Sequence, residues 1–521
     1  MRYLSFISCF LLSLTVTAQI GKEGTPLTWS LPANGLTNNI WKTLPEMDVE
    51  AILASEISEG VVKGRPYQFA VATEVDFNLT NSGRWTNLTN GDRLWVLGLT
   101  SISALSLNVT FNQLNLPAGS RLYVYNAEET DYIGPLSSKD NVSDSHLTLL
   151  PLLGNEIIIE YFEPFAQRGN GAVSLSSVAQ GFRSLEVPET ADYACYEAFD
   201  IDASGARGEE LSSSTLLMLV DNGQRICSGT FLNNTKSDGR PLFVTTEKSL
   251  IGDPSSWVFV VGLNNAACSL DEAGGGLTCW NNAINGAQTL KINETSGLAL
   301  LELNQSPKTD WRVFYAGWSM AEPGFDRYSV FQHALGRNQS YSECSQDLTN
   351  VQVGNLELAK VSRWDVGNTF SGSLGSPIFN SLGQYCGSFA GGNLECEGVG
   401  NDYFALLNSA WNDFAGYLNP VGESGANTQG FYPIFVEEDS RESSSGSVFV
   451  FPNPASDFIY IQNESEEAIE RVEFIDAQGR KVSLYTPDLP YINVSDLPSG
   501  LYYVTIKKTT TSVVSKVMIR H

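Results

Sequence analysis

Apolar and polar residues alternate strictly through Leu105-Ser106-Leu107-Asn108-Val109-Thr110-Phe111. A period of two sends successive side chains to opposite faces, so this run predicts a strand in a sheet buried on one side. RLYVY (121–125) and EIIIEYF (156–162) continue the style, separated by Gly, Pro, Asn and Asp turns. Many short strands with turns between them predict a β-sandwich across residues 60–185, assigned as a domain spanning 19–185. Further on, STLLMLV, an Asp221-Asn222-Gly223 turn and RICSGTFL predict a hairpin. LFVTT, SWVFVVGL, LALLEL and SPIFN are further strand candidates, while helical periodicity is scarce. The patterning fits a two-lobed β-barrel and a second sandwich equally well. After Leu418-Asn419-Pro420 the chain turns Gly-, Ser- and acid-rich with no sustained period, so 421–446 reads as a linker. Residues 447–521 return to short strands around Asn453-Pro454, Gln478-Gly479 and Pro498-Ser499-Gly500 turns, a third small β unit. The expected fold class is all-β throughout.

The first residues follow a different logic. Arg2 supplies a positive start, Leu4–Val16 an apolar stretch, and Val16-Thr17-Ala18 a small-residue cleavage site. This predicts a secretory leader over 1–18 and an oxidising destination. No other run is apolar and long enough to predict a membrane span.

The chain of 521 residues carries 31 Lys+Arg against 58 Asp+Glu, a net charge of −27. Nucleic acid and anionic membrane both require clustered positive charge, so neither is expected as a partner. Removing the leader removes Cys9 and leaves Cys195, Cys227, Cys268, Cys279, Cys344, Cys386 and Cys396, all within one block at about 190–420. The odd number leaves at least one thiol unpaired within the chain. Only His146, His333 and His521 are present, with no CxxC or HxxxH spacing, so no metal site and no cofactor are expected.

Two resemblances sharpen this picture. FPNPASDFIYI, VEFIDAQGRKV, VSDLPSGLYYVTI and the terminal KVMIRH resemble, in order, the blocks of a type A sorting domain of the type IX secretion system, over 447–521. This resemblance implies a Bacteroidota-type source, the type IX machinery and its sorting peptidase as partners, and release or attachment at the cell surface. CSGTFLNNTKSDGRPLFVTT (227–246), SGLALLEL (296–303), YAGW (315–318), FQHALG (331–336) and SGSLGSPIFNSLGQYCGSFAGG (371–392) resemble trypsin-like serine proteases of the lysyl endopeptidase type. That resemblance implies a trypsin-like double β-barrel over 190–420. GRWTNL, LPAGSRLYVY, IGPL and VAQGFR resemble more loosely the segment preceding the protease in related proteins.

The resemblance also locates a catalytic triad, and the residues there differ. A hydroxyl needs a base to remove its proton, and the base needs a carboxylate to hold its tautomer. The histidine place holds Lys248, the aspartate place Gly297, and the serine place Leu374. Lysine has no acceptor while charged, and glycine and leucine bring no reactive atom. His333 matches a non-catalytic family position. A Ser373–Lys248 pair could replace the triad only if Lys248 lost its proton, which neighbouring Glu247 opposes. These positions lead to the expectation that the chain is not an enzyme but a binding or structural pseudoprotease. A peptidase with displaced groups, or an adhesin for glycan or protein, are the other readings.

Several implied features survive. Gly372 and Leu374 would still offer oxyanion-type backbone N–H groups. Asp402 matches the carboxylate at the base of a lysine-specificity pocket, although a surface-turn aspartate would read the same. Ala405, in place of a family glycine, is expected to crowd a lysine there. The resemblance also implies disulfides Cys195–Cys396, Cys268–Cys279 and Cys344–Cys386. Cys227, whose family partner position holds Ser249, would be the odd thiol.

Overall fold

The structure, a computed structural model, describes residues 19–20, 24–30, 40–59, 63–142, 146–184, 195–263, 282–321, 324, 327–396, 398–422 and 427–433, and in the C-terminal unit 448–451, 455, 458–463, 469–476, 480–485, 491–508 and 512–520. The expected leader, Cys268, Cys279 and His521 lie outside the described residues. Two compact units divide the chain, Met1–Val436 and Glu437–His521.

The first unit opens with a sandwich. In one sheet, Ser106–Asn115 lies beside Ala172–Gly181, which in turn pairs with Ala70–Asn78. In the other, Glu156–Glu163 is flanked by Arg93–Thr100 and Arg121–Asn126. Their inner faces meet in one core: Leu97, Leu99, Ile157 and Ile159 from one side, Val109, Phe111, Leu175 and Val178 from the other. The period-two run at 105–111 thus faces an apolar partner sheet, as its alternation predicts.

Two further sheets form the lobes of a double β-barrel. The first lobe contains Thr215–Val220, Arg225–Phe231, Leu242–Thr246, Val258–Val261, Asn282–Asn285, Ala287–Ile292 and Leu298–Leu303. The second contains Tyr328–Gln332, Ser340–Cys344, Thr349–Val353, Leu356–Val361, Pro377–Asn380, Tyr385–Gly392 and Asp402–Leu406. The continuous apolar run at 216–220 has a clear cause. Leu216, Met218 and Val220 face the interior of the first lobe, whereas Leu217 and Leu219 join the sandwich core. A strand covered on both faces has no polar side to alternate with.

Two features depart from the patterning. Leu407–Leu418 is an α-helix whose buried face is Leu407, Ala410, Phe414 and Leu418, and Ile201–Ser214 is a second helix in a stretch with little apolar signal. Residues 427–433, read from composition as linker, instead return to the first unit. Phe431 exchanges backbone hydrogen bonds with Tyr315 at 2.9 and 3.0 Å, and Tyr432 packs edge-on against Phe314. The aromatic pair Phe431 and Tyr432 outweighs the polar composition around it.

The second unit is a smaller all-β body. A three-stranded sheet (Val448–Phe451, Phe458–Asn463, Tyr491–Asn493) and a four-stranded sheet (Lys481–Tyr485, Ile469–Asp476, Gly500–Lys508, Ser512–Ile519) enclose Ile459, Val472, Phe474, Val504 and Val517.

Candidate functional site in the cleft between the lobes

Strand pairing brings the first two triad positions together. Leu242–Thr246 runs antiparallel to Leu298–Leu303 with Thr246 opposite Leu298. The chain then turns through Glu247–Ser249, and the Glu247 N–H donates to the Gly297 carbonyl at 2.8 Å. Lys248 projects from this turn as an exposed side chain. Gly297 has φ +77°, a left-handed conformation that favours glycine over a residue bearing a Cβ.

The third position arrives from the second lobe. The loop ahead of Pro377–Asn380 is tied to the first lobe by the Ser228 N–H, which donates to the Leu374 carbonyl at 2.8 Å, and by the Ser228 hydroxyl, which donates to the Gly372 carbonyl at 3.0 Å. Gly375 passes so close that a Cβ there would lie 2.1 Å from Thr245 Oγ1. Leu374 is fully buried and belongs to the first lobe's core with Cys227 and Phe243. Ser373 is buried too, its hydroxyl oxygen accepting from the Phe370 N–H at 3.0 Å. Among the described residues no hydrogen bond joins Ser373 to Lys248, and the Gly372 and Leu374 N–H groups donate to none of them. His333 abuts this loop through its backbone, its N–H donating to Ser228 Oγ at 3.2 Å, while its ring Nδ1 lies 3.1 Å from the Arg337 carbonyl and Nε2 3.4 Å from that of Thr215. Burial pushes its pKa down to about 4.

Asp402 lies within a dense hydrogen-bond network. It is 0% exposed, which excludes the surface-turn alternative. Its Oδ2 accepts from Trp364 Nε1 at 2.8 Å and from the Thr369 hydroxyl at 2.7 Å; its Oδ1 accepts from the Leu394 N–H at 3.3 Å. Opposite this carboxylate lies an ammonium from the chain's own N-terminal region, which the sequence reading missed. Lys63 Nζ is 3.5 Å from Asp402 Oδ1 and also donates to Thr369 Oγ1 at 3.1 Å, Asn368 Oδ1 at 3.2 Å and the Leu394 carbonyl. Burial lowers the Lys63 pKa and raises that of Asp402, while their mutual attraction opposes both shifts. Ala405 does not crowd this lysine: its methyl joins the apolar cluster of Leu358 and Phe379. Next to the pocket lies a cleft of about 830 Å³ lined by Gly64, Arg65, Arg225, Lys248, Gly391 and Tyr403, among others.

The thiols also depart from expectation. Cys195 and Cys396 are disulfide-bonded, which ties the segment entering the first lobe to the loop beside Asp402. Cys344 and Cys386, expected as a pair, are both free and buried. Their strands are not neighbours in the sheet: Tyr328–Gln332 and Pro377–Asn380 lie between them. Cys227 is free, and burial pushes the thiols of Cys227, Cys344 and Cys386 up to about 12. Among the described residues no cluster of three His, Cys, Asp or Glu side chains could hold a metal, and no helix is long and apolar enough to cross a membrane.

Comparison with known proteins matches residues 190–405 to "Lysyl endopeptidase, C-terminal domain" and residues 449–520 to "Secretion system C-terminal sorting domain". A lysyl endopeptidase of Pseudomonas aeruginosa is 26% identical over 246 residues, covering 42% of this chain and 50% of the relative. The chain thus matches about half the length of that curated relative. Among solved structures, the MamO protease domain from Magnetospirillum magneticum is 14% identical, with TM-score 0.27, covering 39% of this chain and 97% of that one. A Glu endopeptidase in complex with MPD is 14% identical, with TM-score 0.29, covering 43% and 95%.

These matches correct the expectation, drawn from Lys248, Gly297 and Leu374, that the chain is not an enzyme. The matching family and the curated relative are endopeptidases. Three altered positions bear on one arrangement of groups, not on every route by which such a cleft can act. The sorting domain marks the chain for type IX secretion to the cell surface or beyond. Residues 190–405 are thus similar to a lysyl endopeptidase C-terminal domain, and the chain carries a C-terminal type IX sorting domain.

Proposed function

We propose that the cleft between the lobes recognises a lysyl side chain of an extended peptide, and that this recognition is the working chemistry of a secreted, endopeptidase-related protein. One observation carries the reading: a fully buried Asp402 holds a lysine ammonium together with Thr369, Asn368 and the Leu394 carbonyl. A pocket with a carboxylate at its base and carbonyl and hydroxyl acceptors around it satisfies all three N–H bonds of an ammonium. An apolar side chain of equal length would leave that carboxylate buried without its cation, so the pocket discriminates by charge. The lysyl endopeptidase relative supports lysine as the recognised residue.

The test is binding of a labelled peptide containing one lysine, set against the same peptide with norleucine. Lysine should bind at least about tenfold more tightly, and Asp402→Asn should erase the difference. In a mixed peptide pool, any cleavage should fall on the carboxyl side of lysine. Equal binding of the two peptides, or cleavage at other residues, would overturn the reading.

A further inference from the structure

The lysine found in the pocket is internal, and the segment that follows it crosses the cleft. Lys63 is 7% exposed, and its partners lie 305 to 339 residues away in sequence. Gly64 then runs against Ala390 and Gly391. A Cβ on Gly391, whose φ is +122°, would lie 2.6 Å from the Gly64 Cα, so only glycine at 391 permits this backbone-to-backbone approach. A Cβ on Gly64 would lie 3.9 Å from Lys248 Nζ. The backbone just past Lys63 therefore lies between the Asp402 pocket and the Lys248 turn. After Arg65 and Pro66, Tyr67–Gln68 add to the first lobe as a short strand, with Gln68 opposite Arg225 and Tyr67 opposite Ile226. The segment anchors its lysine in the second lobe and its backbone on the first, which is how an extended peptide would span the two.

We propose that residues Lys63–Gln68 are an internal ligand of the cleft, a strap that must withdraw before a lysyl peptide from another molecule can enter. The proposal rests on the lysine-pocket reading above and adds its regulation. Exchange is one ammonium for another, so the buried charge pair is rebuilt rather than lost. What an incoming peptide must overcome is the high effective concentration of a tethered competitor, in the millimolar range for short links.

The experiment uses the full chain and a fluorescently labelled peptide with a single lysine, followed by anisotropy. Lys63→Met empties the pocket of its internal ammonium and should tighten peptide binding at least about tenfold over wild type. Equal affinities in the two proteins would overturn the strap and leave the pocket reading standing. Lysyl and norleucyl peptides binding the variant alike would instead overturn the pocket reading, and the strap with it. A measurement on wild type guards against misfolding of the variant. Under brief amine acylation followed by peptide mapping, Lys63 should be modified far more slowly than exposed Lys236. Excess lysyl peptide should speed its modification. Lys63 labelling as fast as Lys236 without peptide, or at a rate the peptide does not change, would overturn the proposal.

Discussion

Replacing Asp402 by asparagine keeps the shape of the side chain, removes the charge and turns one acceptor into a donor. The consequence follows from what surrounds each oxygen. Oδ2 faces Trp364 Nε1, which can only donate, and the Thr369 hydroxyl. Oδ1 faces the Leu394 N–H and the Lys63 ammonium, which can also only donate. Whichever way the new amide turns, its NH2 meets a fixed donor. Thr369 offers limited relief, because its oxygen already accepts from Lys63 at 3.1 Å. Removing one member of a buried pair costs about 3–5 kcal/mol, since the other charge is left without compensation. Asp402→Asn should therefore destabilise the first unit by that amount.

Lys63→Met should cost less, about 1–3 kcal/mol, because Asp402 keeps three hydrogen-bond donors. In the double variant the two losses overlap, giving a coupling of about 1–3 kcal/mol. Guanidinium unfolding followed by tryptophan fluorescence reads all four proteins, with Trp364 itself bonded to Asp402. An Asp402→Asn cost below about 1 kcal/mol would refute the geometry on which both proposals stand. So would Lys63→Met costing the same whether residue 402 is Asp or Asn.

Two more outcomes follow from buried groups. Leu374→Ser places a hydroxyl at the position aligned with the family nucleophile, yet the side chain points into the core with Cys227 and Phe243. Thermal unfolding should register a loss of about 2–5 kcal/mol, and unchanged stability would show that the side chain faces the cleft instead. His333 has its pKa pushed down to about 4 by burial, from an ordinary value of 6.5. The unfolded chain then binds more protons between these values, so stability should fall by up to about 3 kcal/mol as pH drops from 6.5 to 4. His333→Gln should flatten that slope, and an unchanged slope would assign it to other groups.

The strands were legible because local alternation reports burial directly. The run at 105–111 and the hairpin around Asp221-Asn222-Gly223 needed only side-chain period and turn chemistry. The helix Ile201–Ser214 was not, because its glycines and serines carry no apolar period and its place comes from tertiary packing. Asp402 could be picked out by resemblance alone, since an isolated aspartate before a strand has many possible roles. Lys63 could not be picked out at all. Nothing in VVKGRP marks its lysine, and the acceptors that define it come from 368–402, brought near only by the closed second lobe. The free pair Cys344 and Cys386 makes the complementary point: family position suggested a bond, and the structure keeps both thiols free on strands that are not neighbours.

The sandwich and the strap are linked by the same feature that made 216–220 continuously apolar. Leu217, Leu219, Ile226, Val258 and Val260 of the first lobe share one core with Val109, Phe111 and Val178 of the sandwich. Each such side chain, fully buried, contributes about 1.5–3 kcal/mol, so detaching the sandwich would expose a costly apolar face on the lobe. Phe69 and Ala70 belong to that core as well, and they directly follow Tyr67–Gln68. From Ala70 back to Lys63 the chain spans at most about 25 Å, which holds the lysine near the pocket even when its ammonium leaves Asp402. The first lobe and the sandwich core that covers it therefore share the fixed end of the tether. The short strand Tyr67–Gln68, paired with Arg225–Ile226, and the burial of Phe69 and Ala70 beside Leu217 and Leu219 together hold the internal lysine at high local concentration by the cleft.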